Sequence, residues 1–353
     1  MAAYTNIDDP TIFFNTKLYT GNGSTQSITG VGFQPDWVWL KARSSAYSHQ
    51  LFDSVRGATK LLTSEATDAE QTLSGVTSFD SDGFAVGSDA GTNNNTTTFV
   101  SWNWKAGTSF TNDASSTGVG SIDSSGSTSS DAGFSIISYT GTGSLGTIAH
   151  NLGAAPAWLI FKERSEARDW MVYQHKNTSE PASDYLYLNT NAATVDADNF
   201  MNDTAPTSSV FTVKGFSEVN KSSQTYICYA FAEKKGYSKF GSYQGNSSTD
   251  GPFLYMGFKP AFLMVKRTNT TENWYMKDNK RDPFNDMNQS AIYANGGAAE
   301  DTGGAWLTGD ACANGFKIRK NDTSSNGSGS TYVYFAFAES PFVNSSGVPT
   351  NAK

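Results

Sequence analysis

The chain contains three copies of one unit, and this internal repetition constrains its fold more than any other feature. Each copy opens with a tyrosine before a glycine-containing turn, and each continues into an apolar run that begins with proline and ends with lysine. The opening tyrosines are Tyr19, Tyr139 and Tyr243, and the apolar runs span 35–41, 156–162 and 260–266. Their prolines are 121 and then 104 residues apart. The pattern predicts three homologous units in tandem.

The second half of each unit repeats as well. The corresponding runs are Phe99-Val-Ser-Trp-Asn-Trp104, Tyr226-Ile-Cys-Tyr-Ala-Phe231 and Tyr332-Val-Tyr-Phe-Ala-Phe337. The proline-led runs are apolar at successive positions, which is typical of a strand in the middle of a sheet that is covered on both faces. The terminal runs of copies two and three alternate large aromatics with smaller residues, which predicts half-buried strands.

Composition agrees with an all-β chain. Only 16% of the residues are charged, 13% are aromatic, and 33 glycines are accompanied by many Ser, Thr and Asn residues that favour turns. We therefore predict an all-β protein of three tandem β-sandwich, jelly-roll-like domains. The predicted boundaries are an amino-terminal arm 1–12, repeat 1 at 13–106, a Ser/Gly/Thr-rich connector at 107–132, repeat 2 at 133–236, repeat 3 at 237–340 and a tail 341–353. The connector is expected to be flexible or extended, whereas the short link between repeats 2 and 3 predicts that those two pack together.

Charge and segment composition limit the classes of partner and compartment. The net charge of −8 is unsuited to neutralising phosphates, so no nucleic-acid partner is expected. No apolar stretch is long enough to cross a bilayer, so membrane insertion is not expected, and the first ten residues lack the pattern of a secretory signal. We therefore expect no export through a secretory signal. The two cysteines, Cys228 and Cys312, cannot form a disulfide framework.

Several segments of the chain resemble a known repeat module. The matching segments are Gly133-Phe-Ser-Ile-Ile-Ser-Tyr-Thr-Gly-Thr-Gly-Ser144, Thr147-Ile-Ala-His-Asn-Leu-Gly153, Ala155-Pro-Ala-Trp-Leu-Ile-Phe-Lys162, Asp169-Trp-Met-Val-Tyr173 and, in copy one, Phe52-Asp-Ser-Val-Arg-Gly57. They resemble the lectin-like jelly-roll repeat module of marine tailed-bacteriophage virion proteins, which are tail-fibre or uncharacterised structural proteins. The third copy lacks the His-x-Leu-Gly part. The resemblance implies a component of the virion surface that is made in the host cytoplasm, and it carries over no catalytic residue.

Two acid–arginine pairs recur at corresponding places. They are Asp53-x-x-Arg56 and Asp278-x-x-Arg281, and the second copy has Gln174 and Asn177 there. Each pair is either an ion pair that fixes a loop or part of a ligand site.

Two tryptophans stand near these positions and open the question of a sugar site. Trp170 and Trp274 both lie eight residues beyond the repeat lysine, where copy one has His49. An aromatic ring beside carboxylate or amide groups is a common arrangement for a shallow sugar site. The glycan-site hypothesis therefore contains Trp170, Trp274, Asp53, Arg56, Asp278 and Arg281, and the alternative is ordinary core packing.

Other candidate motifs favour turns. Gly141–Gly146 matches G-x-G-x-x-G, but the residues that follow cannot begin a phosphate-binding helix. Asp80-Ser-Asp82-Gly83 resembles the start of a calcium loop, but copies two and three lack the acids, so a hairpin turn is favoured. His49, His150 and His175 occupy non-equivalent positions, and no nucleophile or metal motif is present. We predict no cofactor, no metal and no catalytic residue.

These observations lead to a functional prediction. We expect a non-enzymatic structural protein on the exterior of a tailed-phage virion, as a short tail-fibre or adhesin-type subunit that contacts other virion proteins and a host surface glycan. A homo-oligomer is expected, for which a trimer is one arrangement. The alternatives are a capsid decoration protein (head fibre or cement) and a polysaccharide depolymerase or carbohydrate-binding module array.

Overall fold

A computed structural model describes residues 4–283, 290–303 and 307–349. The chain is 42% strand and 6% helix, which confirms the all-β prediction. The first three residues of the predicted arm and the last four of the predicted tail lie outside the described residues. No helix in the described ranges is long and apolar enough to cross a membrane.

Repeat 1 follows a 3₁₀ turn at Pro10–Ile12 whose amino end is capped by Asp9. Its elements are β1 (Phe14–Thr20), β2 (Gln26–Thr29), β3 (Trp37–Ala42), β4 (Gln50–Asp53), β5 (Lys60–Leu61), β6 (Gln71–Thr72), β7 (Val76–Asp80), β8 (Gly83–Val86), α1 (Ala90–Asn93) and β9 (Thr98–Trp104).

Repeat 2 is preceded by β10 (Thr108–Asn112), α2 (Ala114–Thr117) and β11 (Ser124–Ser129). Its own elements are β12 (Phe134–Thr140), β13 (Gly146–Ala149), β14 (Trp158–Glu163), β15 (Met171–Gln174), β16 (Asp184–Tyr187), β17 (Val195–Asp196), β18 (Val210–Val213), α3 (Ser217–Asn220) and β19 (Thr225–Phe231).

Repeat 3 has a similar series of elements. They are β20 (Ser238–Gln244), β21 (Phe253–Tyr255), β22 (Phe258–Arg267), β23 (Trp274–Asp278), β24 (Ile292–Tyr293), β25 (Gly309–Cys312), β26 (Gly315–Ile318), α4 (Thr323–Asn326) and β27 (Thr331–Pro341).

Each repeat contains a large antiparallel sheet with one strand order. The common part of the order is β1-β9-β3-β4 in repeat 1, β12-β19-β14-β15 in repeat 2 and β20-β27-β22-β23 in repeat 3. The proline-led strand therefore lies between two neighbours in every copy, as predicted. A second, smaller sheet covers one face, with orders β2-β8-β7, β13-β18 and β21-β26-β25. Each repeat is thus sandwich-like, and the jelly-roll resemblance stays a prediction.

Alternate residues of the proline-led strand face two different cores. In β3, Val38 and Leu40 pack under the small sheet, while Trp37 and Trp39 point to the opposite side. The terminal strand β9 does the same, with Trp102 and Trp104 on that opposite side. The terminal strands of repeats 2 and 3 were predicted to be half-buried, and this is wrong, because the large sheet is covered on both faces.

The second cover is supplied by the other repeats. The outward faces of the three large sheets meet in one apolar cluster, which we call the axial core. Its large side chains include Trp37, Trp39, Trp102 and Trp104 of repeat 1, Phe134, Trp158, Trp170, Tyr229 and Phe231 of repeat 2, and Phe240, Phe262, Trp274, Phe335 and Phe337 of repeat 3. Repeat 1 packs into this core as fully as repeats 2 and 3 do, which the sequence did not lead us to expect.

The connector between repeats 1 and 2 is extended rather than loose. Strands β10 and β11 pair with each other, and β11 pairs with β12 from Ser124↔Tyr139 to Ser129↔Phe134. Asp113 caps α2 by accepting from the backbone of Ser115 and Ser116. The connector therefore forms an edge of the large sheet of repeat 2. The expectation that it is flexible is wrong.

The shared core predicts that the three repeats unfold together. A protease site inserted at Gly118, which has a positive φ and free space around its Cα, would cut the connector without touching the axial core. The two fragments are expected to stay associated in gel filtration, and tryptophan fluorescence and circular dichroism are expected to report one coincident denaturant transition. Release of a folded repeat 1 would contradict the shared core.

Candidate functional site at the repeat junctions

Three junctions join the repeats into a closed ring. We call them junction 1–2, junction 2–3 and junction 3–1. At each, the first aromatic of one proline-led strand packs on an aromatic of the next repeat's terminal strand. The pairs are Trp37 on Tyr229 at 4.4 Å between ring centroids, Trp158 on Phe335 at 5.1 Å and Phe262 on Trp102 at 5.7 Å. The same contact repeated head to tail closes after three steps, as a three-fold rotation requires.

One buried N–H donor crosses each junction to a backbone carbonyl. Trp170 Nε1 donates to Thr63 O at 2.9 Å, and Trp274 Nε1 donates to Tyr187 O at 2.8 Å. In repeat 1 the donor is His49. Its Nδ1 accepts from Trp39 Nε1 at 2.8 Å, so Nε2 carries the proton and donates to Tyr293 O at 2.9 Å.

The three repeat lysines also cross the junctions. Their ammonium groups contact carbonyls of the neighbouring repeat, Lys162 with Thr67 O at 3.1 Å, Lys41 with Gly297 O at 3.3 Å and Lys266 with Asn191 O at 3.3 Å. Burial lowers the pKa of Lys41 and Lys162 to about 8 and that of Lys266 to about 7. These buried lysines therefore hold neighbouring repeats together.

The acid–arginine pair of repeat 1 lies at the centre of junction 1–2. Arg56 Nε donates to Asp53 Oδ2 at 2.5 Å, and Tyr229 Oη of repeat 2 donates to the same oxygen at 2.7 Å. Burial by itself lowers the pKa of Arg56, but the adjacent carboxylate of Asp53 outweighs it and raises the pKa. Glu70 extends the network by bridging Arg56 and Arg164.

Junction 3–1 has the same network. Arg281 Nε donates to Asp278 Oδ2 at 2.6 Å, and Trp102 Nε1 of repeat 1 donates to that oxygen at 3.0 Å. Glu300 then bridges Arg281 and Arg43, both at 2.8 Å. A donor from the neighbouring repeat therefore completes the carboxylate at both junctions.

Junction 2–3 replaces all five members of the network at once. The donor position is taken by Phe335, which has no hydrogen to donate, and the charged positions are Gln174, Asn177, Thr194 and Thr268. Thr194 Oγ1 donates to Asn177 Oδ1 at 2.9 Å where Glu70 and Glu300 bind arginines. A buried carboxylate without its donors is costly, and a carboxylate in place of Gln174 would lack the donor that the neighbouring repeat supplies at the other two junctions. This junction also contains an open cavity.

These positions correct the glycan-site hypothesis. The side chains of Asp53, Arg56, Asp278 and Arg281 are fully buried, and Trp170 and Trp274 are buried in the axial core. No sugar can stack on these rings in this structure. The alternatives weighed for them, core packing and ion pairs that fix loops, describe their places. The ion pairs join repeats as well as loops, because they bind Tyr229 and Trp102.

A set of repeated asparagines was missed at the sequence level. Asn93, Asn220 and Asn326 each lie six residues before the first aromatic of the terminal run, a constant spacing that could have identified them. Each side chain holds the exposed turn that follows the opening tyrosine. Asn220 Oδ1, for example, accepts from Thr142 N at 2.8 Å, and its Nδ2 donates to Ser144 O at 2.5 Å. The three turns are therefore held in one conformation.

The remaining sequence candidates are structural. The Asp82 carboxylate accepts from Gly30 N and Gly32 N at 2.9 and 2.8 Å, so it holds a turn. Cys228 is buried, burial raises the pKa of its thiol, and neither cysteine is bridged. Within the described ranges, no three His, Cys, Asp or Glu side chains are placed to share a metal ion.

The buried network at junction 1–2 predicts a large effect of Arg56→Met. Loss of the guanidinium leaves Asp53 with an uncompensated charge, so the free energy of unfolding is expected to fall by about 3–5 kcal/mol. Chemical denaturation measures this, with Arg319→Met, at a half-exposed pair, as a control that is expected to leave it nearly unchanged. Adding Asp53→Gln and Tyr229→Phe, which copies junction 2–3, is expected to recover part of the loss. An unchanged midpoint for Arg56→Met would contradict this account.

His49 predicts acid sensitivity of junction 3–1. Burial lowers the pKa of His49 well below its ordinary value, and Lys41 and Arg281 lower it further. The unfolded chain therefore binds a proton that the folded chain refuses, and stability is lost as pH falls below about 6.5. The double variant Trp39→Met/His49→Trp, which copies repeat 3, is expected to make the unfolding free energy fall less steeply as the pH decreases below about 6.5, a single proton contributing at most about 1.4 kcal/mol per pH unit. An unchanged slope would contradict the neutral state of the His49 imidazole in the folded protein.

Comparison with known proteins gives one family. No curated protein and no solved structure matches the chain significantly. A family model described as a domain of unknown function (DUF7483) matches residues 9–341. One model thus spans all three repeats and both links between them. The chain belongs to the DUF7483 family.

Proposed function

We propose that this protein is a non-enzymatic structural component of the exterior of a tailed-phage virion. Its most direct role is that of a short tail-fibre or adhesin-type subunit that contacts the host surface or neighbouring virion proteins. The resemblance of residues 133–173 to a repeat module of phage virion proteins supports the proposal that the protein belongs to a phage particle. The geometry of the repeats supports the contact role.

The observation that carries the contact role is the set of three equivalent rigid turns. They follow β1, β12 and β20, their tips are exposed, and each is held by the asparagine of the short helix. The ring symmetry places all three at one end of the body. A turn that is already ordered loses little conformational entropy when it binds, and three copies on one body raise avidity.

The opening tyrosines fix the short helices that hold the turns. The Oη atoms of Tyr19, Tyr139 and Tyr243 donate to carbonyls of the short helices at 2.6, 2.6 and 2.7 Å. Their rings stack on the first aromatic of the terminal strand at 4.8–5.1 Å. The end of the ring that carries the three turns is therefore rigid, which suits a docking surface.

A substitution pair tests whether the turn end makes the contact. Leu145 and Ile12 are both exposed, at 58% and 46%, but Leu145 lies on a turn and Ile12 precedes the opposite end of β1. The purified chain is expected to compete with phage particles for adsorption to host cells. Leu145→Glu is expected to weaken this competition at least several-fold, and Ile12→Glu is expected to leave it unchanged.

Particle labelling tests the placement. With Leu145→Cys carried on virions and tagged with maleimide nanogold, label at the tail supports the proposed role. Label on the head would replace it with capsid decoration, and absence from the particle would overturn it. Oligosaccharide released from host surface polysaccharide by the purified chain would favour a depolymerase.

A further inference from the structure

The cavity at junction 2–3 has a volume of about 500 Å³. It lies between the β16–β17 hairpin of repeat 2 and residues 268–269 and 331 of repeat 3. It is lined by Asn177, Thr194 and Thr268, three of the residues that replace the charged network of the other junctions. The cavity therefore occupies the place where the other two junctions hold an arginine.

The equivalent positions at the other two junctions show which chemical group fits this place. At junction 1–2 the guanidinium of Arg56 donates to Asp53, to Glu70 and to the carbonyls of Leu51 and Lys60. Arg281 donates in the same way to Asp278, Glu300 and Met276 O. Asn177 stands in the arginine position but is too short to fill that space.

The charge of the lining is inverted relative to junction 1–2. The β16–β17 pair Asp184↔Asp196 corresponds to the β5–β6 pair Lys60↔Thr72 of repeat 1. Asp184 is 4% exposed, and Glu180 adds a third carboxylate, while no lysine or arginine lines the cavity. Burial and the neighbouring carboxylates of Asp196 and Glu180 raise the pKa of Asp184, although its bond from Thr178 lowers it. A cation in the cavity would relieve this repulsion.

A buried polar atom in the lining also lacks a partner. Asn177 is 5% exposed, its Oδ1 accepts from Thr194, and its Nδ2 has no hydrogen-bond partner. A buried amide N–H without an acceptor is costly. A ligand that fits must therefore bring an acceptor as well as a positive charge.

We propose that this cavity binds an arginine side chain of a partner polypeptide. The guanidinium takes the place that Arg56 and Arg281 occupy at the other junctions and donates to Asp184 and Asp196. A peptide carbonyl beside it accepts from Asn177 Nδ2. This site is separate from the turns of the proposed function, and its test does not depend on where the protein acts.

The binding test uses a ligand and its neutral isostere. N-acetyl-arginine amide is expected to bind the full chain with a Kd on the order of 1 mM, measured by shifts of the Asn177 and Asp184 signals in NMR titration. N-acetyl-citrulline amide has the same shape without the charge and is expected to bind at least about ten-fold more weakly, since tenfold in Kd is a modest charge effect. Equal binding of the two, or no binding of the arginine amide, would overturn the proposal. Preferred binding of methyl glucoside would replace it with a sugar site.

Variants locate the ligand. Asp196→Asn is at an exposed position, so it tests the charge with little risk to the fold, and it is expected to weaken binding several-fold. Asn177→Arg is expected to fill the cavity and abolish binding while the thermal midpoint stays the same or rises. Asp80→Asn, an exposed acid in repeat 1, is the control. Unchanged binding by both cavity variants, or an equal loss with Asp80→Asn, would overturn the proposal.

Discussion

The axial core is the constraint on which the rest of this structure depends. Each large sheet has one face under its own small sheet, and its other face carries aromatics such as Trp37, Trp158 and Phe262 that only the neighbouring repeats can cover. Aromatic side chains each bury a large apolar area, so leaving this face in water would be costly. A single repeat is therefore incomplete, and the ring closes because three repeats cover one another.

The polar groups of the junctions give the ring its register. The donors from His49, Trp170 and Trp274 and the ammonium groups of the three repeat lysines each meet one carbonyl of the neighbour. Such buried groups are costly when unpaired, so they penalise any other packing of the sheets. The acid–arginine networks strengthen two junctions in the same way. The third junction has neutral groups in their place and contains a cavity. The internal symmetry is therefore broken at this junction.

This division suits a body that makes contacts without changing shape. The ring interior is closed by aromatic packing and by the hydrogen bonds that cross the junctions, while the turns at one end are exposed and individually held by Asn93, Asn220 and Asn326. The turn surface is three-fold, whereas the cavity between repeats 2 and 3 occurs at one junction. In the two proposals made above, the turns meet a partner several times per molecule and the cavity meets a partner once.

The sequence by itself determined the all-β class, the three repeats and the interior position of the proline-led strands, because these follow from local patterns of apolar residues and turns. It could not show that the aromatic faces meet across repeats, since an alternating strand has the same pattern whether it faces its own small sheet or a neighbouring repeat. That is why Trp170 and Trp274 suggested a sugar site and why β19 and β27 were predicted to be half-buried. Only the tertiary structure decided that Asp53 belongs with Tyr229 and Asp278 with Trp102, because those contacts join residues 176 positions apart.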